Sequence, residues 1–288
     1  MGRQGLSPRP VPQRHETFLP QQMLHLTRAQ AVRAKDDILD SVSRWRVWHL
    51  LAWQDVRQRY RRSTFGPFWL TLSMGVQILI MGVVVSLLFR QPFNRFLPYV
   101  ALGVIFWSMI SGIVNDGAMS FVTSTTWILQ INMPFGMYVL QRLWSNVIAM
   151  GHNFAIFVVL AAVYQIYNAT FLIFLVGLPL VLVSIAWAPL LLAVASTRFR
   201  DLPAIVTNSF NLLFWVTPIA YQPEQLGQNR FIADLNPLTY MLALLRDPLL
   251  GQVPSGRDFL VVAATGVVGW AIAFPFFARF RSRIAYWL

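Results

Sequence analysis

Long apolar blocks separated by short polar breaks dominate the chain from Phe68 onward. They run over Phe68 to Phe89, Pro98 to Val114, Val139 to Tyr164, Phe171 to Ala195, Pro203 to Tyr221 and Phe259 to Phe280. Crossing about 30 Å of hydrocarbon takes roughly 20 helical residues, so the blocks predict six transmembrane spans. Ser108, Ser111 and Asn115 dilute the second, and Asn208, Ser209 and Asn211 the fifth, which leaves the ends of these two least sharply drawn. None shows the alternation of a barrel strand, and a backbone facing lipid must satisfy its own hydrogen bonds, so the blocks are helices. The expected fold class is an all-α integral membrane domain over residues 67–288.

Ahead of the first block the period is helical but two-faced. Trp45, Trp48, Ala52, Val56 and Tyr60 recur at spacings of three and four, Trp53 flanks them, and Arg46, Arg57 and Arg61 fall opposite. This predicts an amphipathic helix within 43–66, lying in the plane of the headgroups with its arginines near anionic lipid phosphates. The stretch "RQRYRRSTFGPFW" (Arg57 to Trp69) carries Arg57, Arg59, Arg61 and Arg62, and Gly66-Pro67 breaks the helix where the chain must turn into the bilayer. Residues 1–42 are polar, punctuated by Pro8, Pro10, Pro12 and Pro20, and lack the apolar core of a cleavable signal. They read as a poorly ordered cytosolic tail.

Two connecting segments are more apolar than plain loops. Met119 to Leu143, "MSFVTSTTWILQINMPFGMYVLQRL", is interrupted by Pro134 and Gly136. A short helix there could offer Trp127, Ile128, Leu129, Ile131 and Met133 to a protein partner, or cap the bundle; the residues fit both equally. Ala233 to Gln252 is apolar between Pro237 and Pro248 but too short to cross, which predicts a re-entrant or interfacial helix pair.

Composition agrees with the blocks: 56% of the 288 residues are hydrophobic and 12% charged, against about a quarter charged in soluble domains. A net charge of +12 would suggest nucleic acid in a soluble chain, but no recognisable nucleic-acid module accompanies the basic patch. In a membrane protein basic residues report topology. Of the 23 Lys and Arg, only Arg90, Arg95, Arg230, Arg246 and Arg257 fall in segments on one side of the six spans. That asymmetry predicts both termini in the cytosol.

Catalytic chemistry finds no support. The chain has no cysteine, which excludes disulfides, thiolate metal sites and cysteine nucleophiles. Asp116 lies at the edge of the second block and Asp201 in a loop beside Arg198 and Arg200; His15, His25, His49 and His152 are scattered. His152, Asn153 and Asn146 in the third block read as helix-to-helix hydrogen bonding rather than a proton relay. No paired carboxylates, metal-ligand cluster or nucleophilic triad can be assembled. Lys35 is the only lysine, so a phosphate-binding P-loop is excluded and any nucleotide energy must come from a partner.

Taken in order, "YRRSTFGPFW", the six blocks, "ILQINMPFGM", "TRFRDLPAI" (Thr197 to Ile205) and "LNPLTYMLALLRD" resemble the permease subunit of ABC-2 type exporters, over about Ser43 to the C-terminus. The likeness is to the branch that moves lipid-linked O-antigen, capsule or teichoic acid polymers. It implies a homodimer in the bacterial inner membrane, docked on two copies of a cytosolic ABC ATPase that holds the ATP and Mg. No cofactor is then expected on this chain, and the cargo is a glycan on an undecaprenyl-type lipid. By position, Trp127, Ile128, Leu129, Gln130, Ile131, Asn132, Met133 and Pro134 become the coupling helix, with Arg198, Arg200 and Asp201 a second contact. Arg57, Arg59, Arg61 and Arg62 become a gate for the lipid pyrophosphate, a role that suits the planar fork of arginine; simple anchoring of the helix is compatible with it. Spans one and five, which line the dimer seam in relatives, nominate Trp69, Gln77, Asn208, Asn211, Phe214, Trp215 and Tyr221 for the glycan path, with Phe106 and Trp107 as further candidates. Aromatic rings and amides suit passing sugars, whereas lipid contact or packing would explain any one ring as well. The same fold exports drugs or lipids, and a membrane glycosyltransferase would demand essential acids or a large catalytic loop that this sequence lacks.

Overall fold

The computed structural model describes residues 20–59 and 68–288, with side chains from Arg28 on except those of Arg59, Phe68 and Leu70. The tail before Pro20, the Gly66-Pro67 break, Arg61 and Arg62 lie outside the described residues, as does the side chain of Arg59. Every regular element among the described residues is helical: α1 (Pro20–Ser43), α2 (Trp45–Arg59), α3 (Phe68–Phe89), α4 (Phe93–Ala118), α5 (Ser120–Thr123), α6 (Thr125–Gln130) and α7 (Phe135–Tyr164). There follow α8 (Phe171–Ile185), α9 (Trp187–Arg198), α10 (Leu202–Val216), α11 (Phe231–Asp234), α12 (Pro237–Arg246), α13 (Gly256–Phe280) and α14 (Ile284–Trp287).

Among the described residues, five helical stretches are long and apolar enough to cross a membrane: α3, α4, α7, α8 continued by α9, and α13 continued to Trp287. The fifth apolar block forms a helix only over Leu202–Val216, 15 residues, about 22 Å at 1.5 Å per residue. Its expected continuation to Tyr221 fails for a local reason. Thr217 precedes Pro218, and the proline ring drives the residue before it out of the helical region; Thr217 is extended, at φ −87° and ψ 136°.

The bundle is organised around α4, whose apolar stretch is 83% buried. It packs against α3, α7, α9, α10 and α12, and Ala101, Leu102, Ile105, Phe106, Ile110 and Ile113 lose all exposure. Close approach depends on small residues: at Gly117, an added Cβ would collide with Pro189 of α9. A second apolar cluster gathers α1, α7, α9 and the C-terminal end of α13 around Ala34, Phe121, Met137, Ala193 and Phe277.

The N-terminal region departs from expectation. Where composition predicts a poorly ordered tail to residue 42, α1 packs on α7 and α13. Ala34, Asp37 and Ser41, spaced three and four apart, form its buried face. Asp37, whose side chain is fully buried, ion-pairs with Arg281 at 2.7 Å. Its carboxylate also accepts from the backbone N–H of Phe135 at 3.2 Å and of Gly136 at 3.0 Å. The first turn of α7 follows Pro134 and has no side-chain cap of its own, so Asp37 caps it from another helix. That extra partner carries α7 four residues upstream of the expected Val139.

Part of the stripe expected on α2, Trp48, Ala52 and Val56, faces protein, while Trp45 is exposed and Tyr60 lies outside the described residues. Ala52 and Val56 are buried, and α2 lies along α7. Asp55 accepts from Gln141 at 2.7 Å and pairs with Arg142 at 3.1 Å, while Trp144 Nε1 donates to His49 Nδ1 at 2.7 Å. Trp45 and Trp53 remain exposed, so one tryptophan-bearing side is left for other contacts.

Between α10 and α13 the chain folds into a compact plug. Asn236 caps α12 by accepting from Leu238 N–H at 3.0 Å, and its amide donates to Thr217 Oγ1 at 2.8 Å. Arg246, 3% exposed, donates to the Pro218 carbonyl at 2.8 Å and lies 3.8 Å above the Tyr99 ring. The α12 helix is wedged among α4, α8 and α13.

Candidate coupling surface and transport path

The turn from α4 to α7 places its apolar residues outward. Within and after α6, Trp127 is 59% exposed and Leu129 58%, and Gln130, Ile131 and Asn132 are exposed as well. Their neighbours point the other way: Ile128 and Met133 pack on the second cluster, and Pro134 is buried. A projecting helix of this kind, anchored through alternate residues and locked at its end by the Asp37 cap, presents an apolar face without its own cover. Large exposed apolar residues grouped on one rigid element mark an interaction surface. Of the two readings open from sequence, bundle capping accounts for Ile128, Met133 and Pro134 and leaves Trp127, Leu129 and Ile131 unexplained.

Arg198, Arg200 and Asp201 are exposed where α9 turns into α10. Arg200 donates to the Trp287 carbonyl at 3.4 Å, which joins this turn to the C-terminus. The turn stands at the same end of the bundle as α6, because α9 packs on α5.

The proposed path residues divide by burial. On α10, Asn208, Asn211 and Trp215, with Ile205 and Leu212, recur at spacings of three and four and form one uncovered stripe. Its opposite side packs inward, with the Phe210 and Phe214 rings 5.7 and 5.9 Å from Trp107 of α4. On α3, Trp69 and Gln77 lie on an outer side with Leu72, Val76, Ile80 and Val83, all exposed. Tyr221 is half-buried and donates to the Val216 carbonyl at 2.6 Å. Phe106 has no exposed surface and packs between Phe154 and Phe174; Trp107 is 6% exposed. These two belong to the subunit's interior packing, with too little open surface to line a path for a passing chain.

Arg57 is exposed on α2 and is the one gate arginine whose side chain the structure describes. Of the polar groups in the third block, Asn146 bonds helix to helix, donating to Asp116 of α4 at 3.0 Å, whereas the His152 ring lies 2.9 Å from the Ile148 carbonyl of its own helix and the buried Asn153 Oδ1 has no hydrogen-bond partner among the described residues. Two features escaped sequence reasoning, the Asp37 cap and the polar end of the bundle around Tyr99 and Arg246. The first had a signal in the helical spacing of Ala34, Asp37 and Ser41, which the prolines upstream obscure.

The chain is similar to the O-antigen export system permease protein RfbA of Klebsiella pneumoniae, at 22% identity over 239 residues, covering 81% of this chain and 91% of that protein. It is also similar to the O-antigen export system permease protein RfbA of Myxococcus xanthus, at 22% identity over 235 residues, covering 80% and 90% respectively. The family described as ABC-2 type transporter matches residues 46–250, and with well over half of its length matched the chain belongs to that family.

Proposed function

We propose that this chain is the permease subunit of an ATP-driven exporter that carries a lipid-linked, O-antigen-like polysaccharide across the bacterial inner membrane. The observation that carries the reading is the anchored but uncovered face of α6, a docking element with nothing of this chain upon it. Family membership supplies the class, and the two relatives named for O-antigen export favour polysaccharide over a drug or a free lipid. In this reading two copies meet across the uncovered sides of α3 and α10, and each takes one cytosolic ABC ATPase at α6, with Arg198, Arg200 and Asp201 alongside. The short α10, extended by 217–221, completes six spans, and the plug around α12 re-enters from the far face. Both termini are cytosolic.

Work then flows in one direction. ATP binding on the partner closes the ATPase pair, the movement enters through Trp127 to Pro134, and the seam between α3 and α10 of the two copies opens. Arg57, Arg59, Arg61 and Arg62 meet the pyrophosphate of an undecaprenyl-type carrier at the inner headgroups. Asn208, Asn211 and Trp215 offer amides and a ring to the sugars that follow. The seam opens only to the extent that partner contacts differ between nucleotide states.

The test is to replace Trp127 and Leu129 together by glutamate. Burying each side chain in a partner is worth about 1.5–3 kcal/mol, so ATPase co-purification should weaken at least about tenfold and export should fall with it. Normal association with the ATPase would refute the docking assignment.

A further inference from the structure

We propose that the end of the bundle opposite α6 carries a saccharide site, formed by two adjoining cavities that share Tyr99, Gln222 and Gln252 as a common wall and take a short neutral stretch of the glycan. The proposal rests on the polysaccharide reading and adds a second station to it. The distance is set by α4 (Phe93–Ala118): α6 follows its end, and the helix rises about 29 Å from Tyr99 to Ala118.

The cavities measure about 450 Å³ and 440 Å³, each within the range of roughly 300–1,000 Å³ typical of small-molecule sites. Tyr240 lines the first and Tyr164 the second, with Tyr99 between them. Tyr164, the most open of the three, can stack on the apolar C–H face of a sugar, Tyr99 and Tyr240 are buried wall residues, and the Gln222, Gln252 and Asn94 amides can donate to or accept from sugar hydroxyls.

The carboxylates retain acceptor capacity. Glu224 and Asp234 share Arg230, each at 3.6 Å, and Asp247 accepts from Arg246 at 3.3 Å, whereas a carboxylate offers about four lone-pair sites. Asp258 is instead engaged by Ser255, through its N–H at 2.6 Å and its hydroxyl at 2.9 Å.

Charge selects among ligands. Glu224, Asp234, Asp247 and Asp258 outnumber Arg230 and Arg246 in the first cavity, a field that repels phosphate and uronate there and tolerates neutral hydroxyls, while the second cavity carries Arg95 and no acid. Among the described residues no group of three or more acids or histidines is arranged to hold a metal ion. Burial raises the Asp247 carboxyl above its ordinary value, with Arg246 opposing. The lipid pyrophosphate therefore has no place in the first cavity, and neutral sugars do.

The experiment uses the full chain with its ATPase in cells that make the polymer. The photoreactive residue p-benzoylphenylalanine is placed at Gln252, which lines both cavities, and separately at Trp215 on the uncovered stripe of α10. After irradiation the permease is probed for covalently attached glycan. Adducts at both positions, or at Gln252 alone, support the site. An adduct at Trp215 without one at Gln252 overturns it and leaves the exporter reading intact. Absence at both positions overturns the two together. In parallel, Glu224→Gln combined with Gln252→Ala should slow export about fivefold, the equivalent of one hydrogen bond of about 1 kcal/mol, with ATPase co-purification unchanged; full export would overturn the site.

Discussion

Removing the Asp37 carboxylate should loosen the junction between α1 and the start of α7 more than any other single truncation in the N-terminal region. In Asp37→Ala two helix-terminal N–H groups, Phe135 and Gly136, lose their acceptor, at about 1–3 kcal/mol each when left buried and unpaired. Arg281 loses its ion pair, but its side chain is 31% exposed and rehydrates in part, so its share is at most about 1 kcal/mol. The total, about 2–7 kcal/mol, brackets the cost of about 3–5 kcal/mol for breaking a buried pair by removing one partner. Asp37→Asn keeps a carbonyl for one N–H and turns an amide toward the arginine, so it should fall about midway. The assay is amide hydrogen exchange of residues 135–138 in the purified full chain, backed by limited proteolysis between α1 and α2. Protection there should drop by the equivalent of several kcal/mol, and a double-mutant cycle with Arg281→Gln should show a coupling of at least about 1 kcal/mol. Unchanged protection in Asp37→Ala would refute the cap. Because the capped turn directly follows Pro134, the same variant should also weaken ATPase association although it touches no docking residue.

Two further expectations concern packing and charge. Gly117→Val drives a side chain into Pro189, an overpacking that should cost about 1–3 kcal/mol, seen as a lower unfolding temperature in detergent, whereas a loosely packed α4–α9 contact would leave it unchanged. Burial holds the Asp247 carboxyl above its ordinary value, with Arg246 pulling the other way. A raised folded-state value means stability fully present below the unfolded carboxylate range and lost as pH rises through the folded value. The wild type should therefore gain stability relative to Asp247→Asn on going from pH 7 to pH 4, and parallel unfolding temperatures across that range would contradict it.

The apolar blocks were readable because crossing a bilayer leaves a chain little freedom in composition. The first block and α3 share the bounds Phe68 and Phe89. Misplaced ends trace to interactions that distance along the chain conceals. Pro98 looks like a helix start, yet α4 begins at Phe93 and carries the proline inside, within a helix packed on several sides. The start of α7 depends on Asp37, about a hundred residues earlier. The path residues were legible as a type, amides and rings on an apolar helix, but their direction was not: sequence alone does not tell Trp215, at 73% exposure, from Phe106, at none. The cavity at Tyr99 assembles residues from five separate stretches between Asn94 and Asp258, and no local spacing announces such a set.

The burial of α4 bears on how a stroke travels. A rod gripped along its length cannot bend or slip against its housing without opening voids in a close-packed interior, so force applied where it emerges at Ala118 shifts the whole subunit together. In the proposed exporter Tyr99, near the other end of the rod and clamped beneath Arg246, would move in step with a docked ATPase rather than after it. The two proposed stations for the glycan would then open and shut on one beat, with the give between copies, where the surfaces are bare, and not within either one.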